Sequence, residues 1–333
     1  MNSEKNKVIV LGSIAFDYIM GFDENFVNAV SIDHEKGDYQ STVTTSSRIQ
    51  HFGGTAGNIC YNLGLLNIGR VHVFCSVGKD FESLGYKDHM TRFENIELGV
   101  DIQEDLFTAA CYIVNDIKAN QMIIFHGGAL DKCKDIVLRE RISDPENYIY
   151  AINSTQSVEA MVNFQDQLYD LKIPIIFDPG QVTPLYPKDL LADVIKKTSI
   201  LIGNQFEIKQ IATKLESSIE EIIKDLKAII ITKGKDGSQL IYKDEHRIYK
   251  IDIPICKPKQ LIEPTGAGDG YRAGVLTGLS LNMTLIDSCR LGSVIASFVV
   301  ETSGPQTQYY QIKDVKMRFF ENYGYIPQEL ETL

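Results

Sequence analysis

Apolar and polar positions along the chain fall into two repeating patterns. Short runs rich in β-branched residues are apolar nearly throughout, as in strands covered on both faces. They lie at 8–13, 71–78, 148–153, 173–180, 200–204 and 228–234. Helix-like stretches lie at 55–66, 156–170, 188–197, 205–226, 270–281 and 285–302. Because strands that alternate with helices form parallel sheets, the pattern predicts an α/β fold with a doubly wound, mainly parallel sheet flanked by helices.

Two segments depart from this alternation. Residues 35–50 are polar, rich in Thr and Ser, and favour strands, whereas residues 107–125 resemble two strands joined by a polar turn near 115–120. We interpret both as parts of a small β-sheet lid, inserted at about 17–50 and 107–125 into a single domain that spans 1–333. The alternative is that these segments are edge strands of the main sheet.

Several predicted strands end in glycine or in a polar residue, including Gly12-Ser13, Asp178 and Gly203-Asn204. In open parallel sheets, ligands bind beyond the carboxyl ends of the strands. The polar endings therefore predict one binding edge.

The strongest chemical signal is the segment EPTGAGDGYRAG at 263–274. Its glycines allow a tight turn and close approach of a ligand to the backbone. A helix that begins near Asp269 would point free N–H groups at one spot, beside the positive end of its dipole, and so create an anion site. A carboxylate there would repel a phosphate, but it suits a base that takes a proton from a hydroxyl attacking the phosphorus. The alternative is an Asp N-cap after a glycine turn.

Other nucleotide and metal motifs are absent from the sequence. A P-loop requires Gly-Lys followed by Ser or Thr, but Asp follows both Gly78-Lys79 and Gly234-Lys235. A dinucleotide fingerprint fails because Tyr271 stands where the third glycine belongs. The six histidines are scattered without metal-ligand spacing, which argues against a catalytic transition metal.

Two further features indicate a small polar ligand. The paired Gly53 and Gly54 would let a ligand touch the backbone, and Asn58, one turn into the next helix, offers both a donor and an acceptor. Asp17, just past the first strand, can accept hydrogen bonds from two adjacent sugar hydroxyls. The alternative for the glycine pair and Asn58 is a turn that only starts a helix. The alternative for Asp17 is a residue of a surface turn.

Two later segments suit a nucleotide. Asn204 and Glu207 share one face at a helix start, and a Glu near a phosphate usually acts through hydrated Mg²⁺. The alternative is a capping box, which this pair fits well. The segment from Thr232 through Gly234 to Gly237 is by default a hairpin turn. As a nucleotide contact it would use its backbone and the Thr232 hydroxyl.

Composition narrows the class of partner. The chain has 33 Lys and Arg against 44 Asp and Glu, a net charge of −11, which disfavours nucleic acid and anionic membranes. Six cysteines without C-x-x-C spacing suit a reducing compartment. No uncharged stretch approaches the ~20 residues that span a bilayer. We therefore expect a cytoplasmic protein with small-molecule partners, no nucleic acid and no membrane.

Taken together, these motifs resemble the ribokinase family, also called PfkB carbohydrate kinases, from Gly12 to about Thr307. The stretch 265–269 matches the family signature. Within the family, the chain is similar to the branch of bacterial adenosine kinases and archaeal nucleoside kinases. That similarity rests on GSIAFD at 12–17, HFGGTAGN at 51–58, FHGGAL at 125–130, FDPGQ at 177–181, EPTGAGDGYRAG at 263–274 and ETSGPQTQ at 301–308.

The resemblance implies a ribokinase-like fold and a nucleoside kinase that passes the γ-phosphoryl group of ATP to the 5′-hydroxyl of a nucleoside, adenosine first. The alternative is a kinase for a free sugar such as ribose or fructose. A nucleotide-binding regulator without chemistry is a third reading, against which the intact Asp269 argues. ATP and Mg²⁺ are the implied cofactors, and the dependence on K⁺ is left open because Glu263 stands where the family more often has Asp. The expected assembly is a monomer or a homodimer.

The resemblance also assigns roles to residues. Asp269 would be the base, with Gly266, Ala267 and Gly268 around the transferring group. Phe125 would reach from the lid onto the nucleobase, although core packing is an equal alternative. Gln181 would form hydrogen bonds with the ring nitrogens of that nucleobase. Substrate contacts would come from Ser13, Asp17, Gly53, Gly54, Asn58, Phe125 and Gln181. The nucleotide would meet Asn204, Thr232, Gly234, Gly237, Thr265, Gly266 and Gly268, and Glu207 would serve the magnesium ion.

Overall fold

The computed structural model describes residues 7–33, 38–118, 120–244 and 247–333. Four parts of the sequence predictions lie outside these residues: 1–6 and 245–246 of the single domain, 34–37 of the first lid segment and 119 of the polar turn.

The described residues form fifteen strands. They are β1 (Lys7–Leu11), β2 (Ala15–Gly21), β3 (Val30–Asp33), β4 (Asp38–Ser41), β5 (Ser47–Gly53), β6 (Arg70–Gly78), β7 (Ile96–Gln103), β8 (Ala109–Asn115), β9 (Gln121–His126), β10 (Tyr148–Ser154), β11 (Ile175–Asp178), β12 (Ile200–Asn204), β13 (Ala228–Thr232), β14 (Ser238–Asp244) and β15 (Arg247–Ile253).

The same ranges contain eleven α-helices. They are α1 (Thr55–Leu66), α2 (Asp80–Ser83), α3 (Tyr86–Thr91), α4 (Val158–Asp170), α5 (Lys188–Lys196), α6 (Gln205–Leu215), α7 (Ile219–Ile222), α8 (Ala267–Ser280), α9 (Leu285–Val299), α10 (Ile312–Tyr323) and α11 (Gln328–Glu331). Short 3₁₀ helices occupy Phe26–Ala29, Gly128–Asp135, Leu138–Glu140, Pro145–Asn147, Gly180–Leu185, Ile223–Asp225 and Gly234–Asp236.

A large central sheet has the strand order β15-β14-β13-β12-β11-β10-β1-β6-β7. Neighbours from β13 to β7 pair in parallel, and only the β13–β14 and β14–β15 pairs are antiparallel. Helices connect the parallel strands, and the apolar runs of β1, β10, β11 and β12 are buried in the core. The predicted doubly wound, mainly parallel sheet flanked by helices is confirmed.

A separate four-stranded sheet has the order β5-β2-β8-β9, and β3 pairs with β4 in a two-stranded hairpin. In this sheet β2 runs antiparallel to β5 and parallel to β8, and β9 is antiparallel to β8. The described parts of both segments that departed from the alternation therefore lie outside the main sheet. The edge-strand alternative is wrong.

One predicted helix is broken. The stretch 205–226 forms α6 and α7, because Glu216 adopts a left-handed conformation (φ 52°) that ends the first helix. Ser218 and Glu221 then form a capping box that starts the second. The left-handed residue and the capping box interrupt an otherwise periodic pattern.

Within the described ranges, no helix is both long and apolar enough to span a lipid bilayer.

Helices α8 and α9 approach closely because glycines face one another. A Cβ at Gly274 would lie 2.6 Å from the Cα of Gly292 and 2.7 Å from the Leu291 carbonyl oxygen. Backbone atoms cannot yield as a flexible side chain can. The close contact with α9 therefore fixes the position of α8 and of the segment that begins it.

We expect Gly274→Leu to lower the free energy of unfolding by about 3 kcal/mol, because the side chain would force these helices apart. Urea denaturation measures the change. The control is Gly127→Ala, where the added Cβ would meet nothing closer than 3.5 Å, and its effect should stay within about 0.5 kcal/mol. Equal midpoints for the two variants would contradict this account of the helix contact.

Candidate active site

The polar strand endings lie along one edge of the main sheet. In the register of the parallel strands, Ser154 is paired with Asp178 and Asn204 with Thr232. The end of β1 leads directly into Gly12 and Ser13. The predicted binding edge is therefore present at the carboxyl ends of β1, β10, β11, β12 and β13.

The start of α8 supplies an anion-binding backbone at this edge. Gly266 precedes the helix with φ 79°, and a Cβ there would lie 2.4 Å from the Cβ of Pro305. The amide of Ala267 donates to the Pro264 carbonyl at 3.1 Å. The amides of Gly268 and Asp269 donate to no group in the described part of the chain. Two free N–H groups thus remain at the positive end of a 14-residue helix.

Asp269 lies on the first turn of α8 and is half-buried. Burial raises the pKa of its carboxyl group to about 7, and the negative charges of Asp178 and Asp17 add to that shift. The Arg272 guanidinium and a hydrogen bond from Asn58 oppose it. A carboxylate whose pKa lies near neutrality can both accept and release a proton at physiological pH.

A buried ion pair lies beneath this turn. Arg272 contacts Asp178 through two nitrogens, with Nη2 2.5 Å from Oδ1 and Nε 2.5 Å from Oδ2. Ser154 also donates its hydroxyl to Asp178 at 2.7 Å. A Cβ at Gly268 would lie 2.8 Å from Nη1 of Arg272, so the guanidinium sits directly against the glycine turn. The pair places a fixed positive charge beside the two free amides.

The sequence assigned no role to Arg272, and it named Asp178 only as a polar strand ending at the predicted edge. Both stand inside segments that carry the family resemblance, FDPGQ and EPTGAGDGYRAG. Their pairing could not be read there, because 94 positions separate them.

The glycine pair before α1 allows three segments to meet. Gly54 has φ 84°, and a Cβ on it would lie 2.4 Å from the Ser13 carbonyl oxygen. A Cβ on Gly53 would lie 2.2 Å from Oδ2 of Asp17. The Ser13 hydroxyl accepts from the Thr55 amide at 3.0 Å, and its carbonyl accepts from Ala56 at 2.9 Å. Ser13 therefore caps α1. Its contact with substrate stays a prediction.

Asp17 lies inside β2 of the small sheet, not in a loop after the first strand. It is half-buried, so the surface-turn alternative is wrong. Burial raises the pKa of its carboxyl group to about 6, helped by the negative charge of Glu263. Because the charge of Asp17 also acts on Asp269, the two carboxylates face the same region.

Phe125 shares a row with Asp17 across the small sheet. Asp17 is paired with Cys111, and Cys111 with Phe125, so all three side chains project from one face. Phe125 is 58% exposed. The core-packing alternative is therefore wrong, and the aromatic ring stands free on the face that carries Asp17.

Asn58 contacts the carboxylate directly. Its Nδ2 donates to Oδ2 of Asp269 at 2.8 Å, while its Oδ1 accepts from Nε2 of Gln306 at 2.9 Å. The predicted ligand-binding acceptor of Asn58 is thus engaged by the protein, and one N–H remains. Gln306 was missed as a site residue, although it lies in the segment ETSGPQTQ that supported the resemblance.

Asn204 and Glu207 form the capping box considered as the alternative. Oε2 of Glu207 accepts from the Asn204 amide at 2.8 Å, and Oδ1 of Asn204 accepts from the Glu207 amide at 2.9 Å. Burial raises the pKa of Glu207, and the charges of Asp178 and Arg272 act on it. The capped carboxylate therefore faces the buried ion pair.

The remaining predicted residues line the edge. Thr232 through Gly237 form the tight turn between β13 and β14, so the default hairpin interpretation is correct, and the Thr232 hydroxyl donates to the Gly203 carbonyl at 3.4 Å. Gln181 is exposed in the 3₁₀ turn after β11, and Thr265 is exposed just before the turn of α8.

The chain is similar in sequence and in structure to known nucleoside kinases. The chain is 30% identical over 312 residues to the nucleoside kinase of Methanocaldococcus jannaschii, covering 92% of this chain and 94% of that one. Its crystal structure, described as an archaeal member of the ribokinase family, superposes with a TM-score of 0.84 at 27% identity, covering 96% and 99% of the two chains.

The nucleoside kinase of Burkholderia thailandensis in complex with inosine superposes with a TM-score of 0.81 at 28% identity, covering 96% of this chain and 100% of that chain. A further structure of that protein, in complex with ADP-inosine, has a TM-score of 0.78 at 29% identity and covers 96% and 97%. The family model for pfkB family carbohydrate kinases matches residues 5–311. With this fold, this carboxyl edge and these relatives, the chain belongs to the pfkB family of carbohydrate kinases, as its sequence motifs predicted.

Proposed function

We propose that the protein is a nucleoside kinase that transfers the γ-phosphoryl group of ATP to the 5′-hydroxyl of a nucleoside. One observation carries the proposal: the carboxylate of Asp269 stands on the same helical turn as two amides that have no partner in the described residues. This combination provides a proton acceptor beside a site for a phosphoryl group.

The chemistry follows from that arrangement. The 5′-oxygen attacks the γ-phosphorus, the bond to the β-phosphate oxygen breaks, and Asp269 accepts the hydroxyl proton. Because such transition states are loose, the base mainly orients the hydroxyl and takes the proton late. The amides of Gly268 and Asp269, with Arg272 behind them, stabilise the negative charge on the transferring oxygens.

The ATP-binding edge includes Asn204, Thr232, Gly234, Gly237, Thr265, Gly266 and Gly268. The protein offers few ligands for magnesium. The described residues hold no cluster of three or more His, Cys, Asp or Glu side chains suited to a metal. Mg²⁺ in kinases usually keeps several waters and takes few protein ligands. The half-buried Glu207 suits that role by ordering such waters, and the ion would neutralise charge on the phosphates.

The acceptor is inferred from the small sheet. Asp17 would hold two ribose hydroxyls, with Gly53 and Gly54 against the sugar and the remaining N–H of Asn58 close by. The exposed ring of Phe125, on the face that carries Asp17, suits stacking on a base. A free sugar carries no nucleobase that could stack on that ring.

Among purine nucleosides, adenosine is our first candidate and inosine the second. Inosine enters because it is bound to the Burkholderia relative. Gln181, exposed in the 3₁₀ turn after β11, can offer both a donor and an acceptor to a purine ring.

Three further expectations belong to the proposal. The six cysteines are all free thiols, which suits a reducing cytoplasm. The protein would act on small molecules, as a monomer or a homodimer. At the position that bears on dependence on K⁺, the carboxylate of Glu263 already accepts from the Gly304 amide at 3.0 Å and from the Ser303 hydroxyl at 3.2 Å.

We expect Asp269→Asn to bind nucleoside while turnover falls ~10²–10⁴-fold. In the wild type, the base must be unprotonated, so kcat should rise with pH and level off above about pH 7, where burial has placed the pKa of Asp269. Steady-state kinetics from pH 5.5 to 9, a range of about two units around neutrality, measure both effects. Near-normal turnover in the variant would refute the role of Asp269 as the base.

Thermal unfolding of the same variant is its control. Because the folded state raises the pKa of this carboxyl group, its contribution to stability is largest at low pH and is lost as pH rises through about 7. At pH 8, Asp269→Asn should therefore melt no lower than the wild type. Lost turnover with an unchanged or raised Tm separates chemistry from unfolding.

We expect Phe125→Ala to lower kcat/KM for nucleosides about 10-fold or more, because stacking is worth ~1–3 kcal/mol. ATP consumption is measured with adenosine, inosine, ribose and fructose. The control is Ile124→Ala, a neighbour of similar exposure (56%) on the opposite face of β9. A wild type that phosphorylates only free sugars, with no effect of Phe125→Ala, would support the sugar-kinase alternative.

A further inference from the structure

We propose that Gln306 and His89 are positioning residues that hold the Asn58 amide in the one orientation in which its Nδ2 donates to Asp269. The proposal rests on the proposed role of Asp269 as base. It concerns residues that contact neither substrate nor the reacting atoms, and that act through Asn58.

An unbroken chain of hydrogen bonds leads to the carboxylate. His89 Nε2 lies 3.0 Å from Oε1 of Gln306, Nε2 of Gln306 lies 2.9 Å from Oδ1 of Asn58, and Nδ2 of Asn58 lies 2.8 Å from Oδ2 of Asp269. Gln306 and Asn58 are both buried. Solvent therefore cannot substitute for a missing partner at these two amides.

The direction of the chain is decided at Gln306. A side-chain amide can turn over and exchange its oxygen and nitrogen, and at Asn58 that exchange would point Oδ1 at the Asp269 carboxylate. Two acceptors would then face each other, and Gln306 would have no acceptor for its N–H. As long as Gln306 donates, Asn58 must present its N–H to Asp269.

Gln306 is itself held in one orientation. Its Nε2 donates a second hydrogen bond, to the hydroxyl oxygen of Tyr86 at 2.8 Å, and Tyr86 donates its own proton to the Gly53 carbonyl at 2.7 Å. Both N–H groups of Gln306 are thus used, and its Oε1 is left to accept from His89. The same amide therefore connects Asp269 with the glycine pair before α1.

His89 is the first donor of the chain. Burial lowers the pKa of its imidazole to about 4, with a smaller effect from Arg92, so the ring is neutral. It stacks on Phe52 at 4.1 Å and on Tyr61 at 5.3 Å between centroids. Because Oε1 of Gln306 can only accept, the single N–H of the neutral ring must be on Nε2.

Loss of the hydrogen bond from Asn58 would change the pKa of Asp269. The charged and polar groups that face Asp269 are Asn58 from α1, Arg272 from its own helix, Asp178 from β11 and Asp17 from β2. Only the bond from Asn58 depends on Gln306. That bond favours the ionised carboxylate, so its loss would raise the pKa of Asp269 further.

The experiment compares Gln306→Leu with Gln308→Leu. Gln308 is equally buried two positions on, but its Nε2 donates to Oδ1 of Asn62 at 3.0 Å and not to Asn58. For Gln306→Leu, the acid limb of the kcat–pH profile should move up by about one unit, since a hydrogen bond to a charged group is worth ~1.5 kcal/mol. For Gln308→Leu the limb should stay in place, whatever its Tm.

Two further variants keep the test decisive if Gln306→Leu fails to fold. His89→Phe retains an aromatic ring for stacking but removes the donor, and it should move the limb in the same direction by a smaller amount. In an Asn58→Ala background, Gln306→Leu or His89→Phe should produce no additional shift, because the residue through which they act is gone.

The possible results are distinguishable. A limb that is unmoved in Gln306→Leu and His89→Phe, or shifts that add to that of Asn58→Ala, would overturn the positioning role while leaving the kinase intact. A wild type without an acid limb, or one whose limb persists in Asp269→Asn, would instead refute Asp269 as the base. Equal shifts in Gln306→Leu and Gln308→Leu would show a general loosening of this segment and would also overturn the proposal.

Discussion

The desolvated carboxylate of Asp269 is the group on which the rest of the site depends. Burial opposes its charge, and the acids Asp17 and Asp178 oppose it too. Left alone, such a group would be protonated and useless as a base. The surrounding residues restore a balance: Arg272 supplies positive charge, and Asn58 supplies a hydrogen bond that favours the ionised form. The site is thereby kept close to the point at which a proton can be gained or lost at neutral pH.

That balance requires close approach, and small residues provide it. The turn of α8 lies against Pro305 because Gly266 has no side chain, and it lies against Arg272 because Gly268 has none. At the other side of the site, Gly53 and Gly54 bring the start of α1 against Asp17 and Ser13. A Cβ at any of these positions would lie within 2.8 Å of the neighbouring group, so that group would have to move. Backbone proximity therefore sets the electrostatics as much as charged side chains do.

Several site features could be read from the sequence because their chemistry is local. The glycine turn before Asp269 and the periodicity of α8 lie within a few residues of one another, and so do Asn204 and Glu207. Local patterns left alternatives that only packing resolved. Phe125 is as apolar as a core residue, yet the pairing of β8 with β9 leaves it exposed on the face of Asp17. The break at Glu216 was missed because helical periodicity continues on both sides of it.

By itself, the sequence determined the alternating elements, the mainly parallel sheet and the motif that contains the acid, since each follows from the spacing of nearby residues. The tertiary structure alone decided which distant groups meet: Asn58 reaches Asp269 across 211 positions, Gln306 reaches Asn58 across 248, and Arg272 reaches Asp178 across 94. Such contacts leave no periodic trace, because they depend on how helices and strands pack and not on the order of residues within them. The acidity of the site was decided by the same packing, through burial that no local pattern encodes.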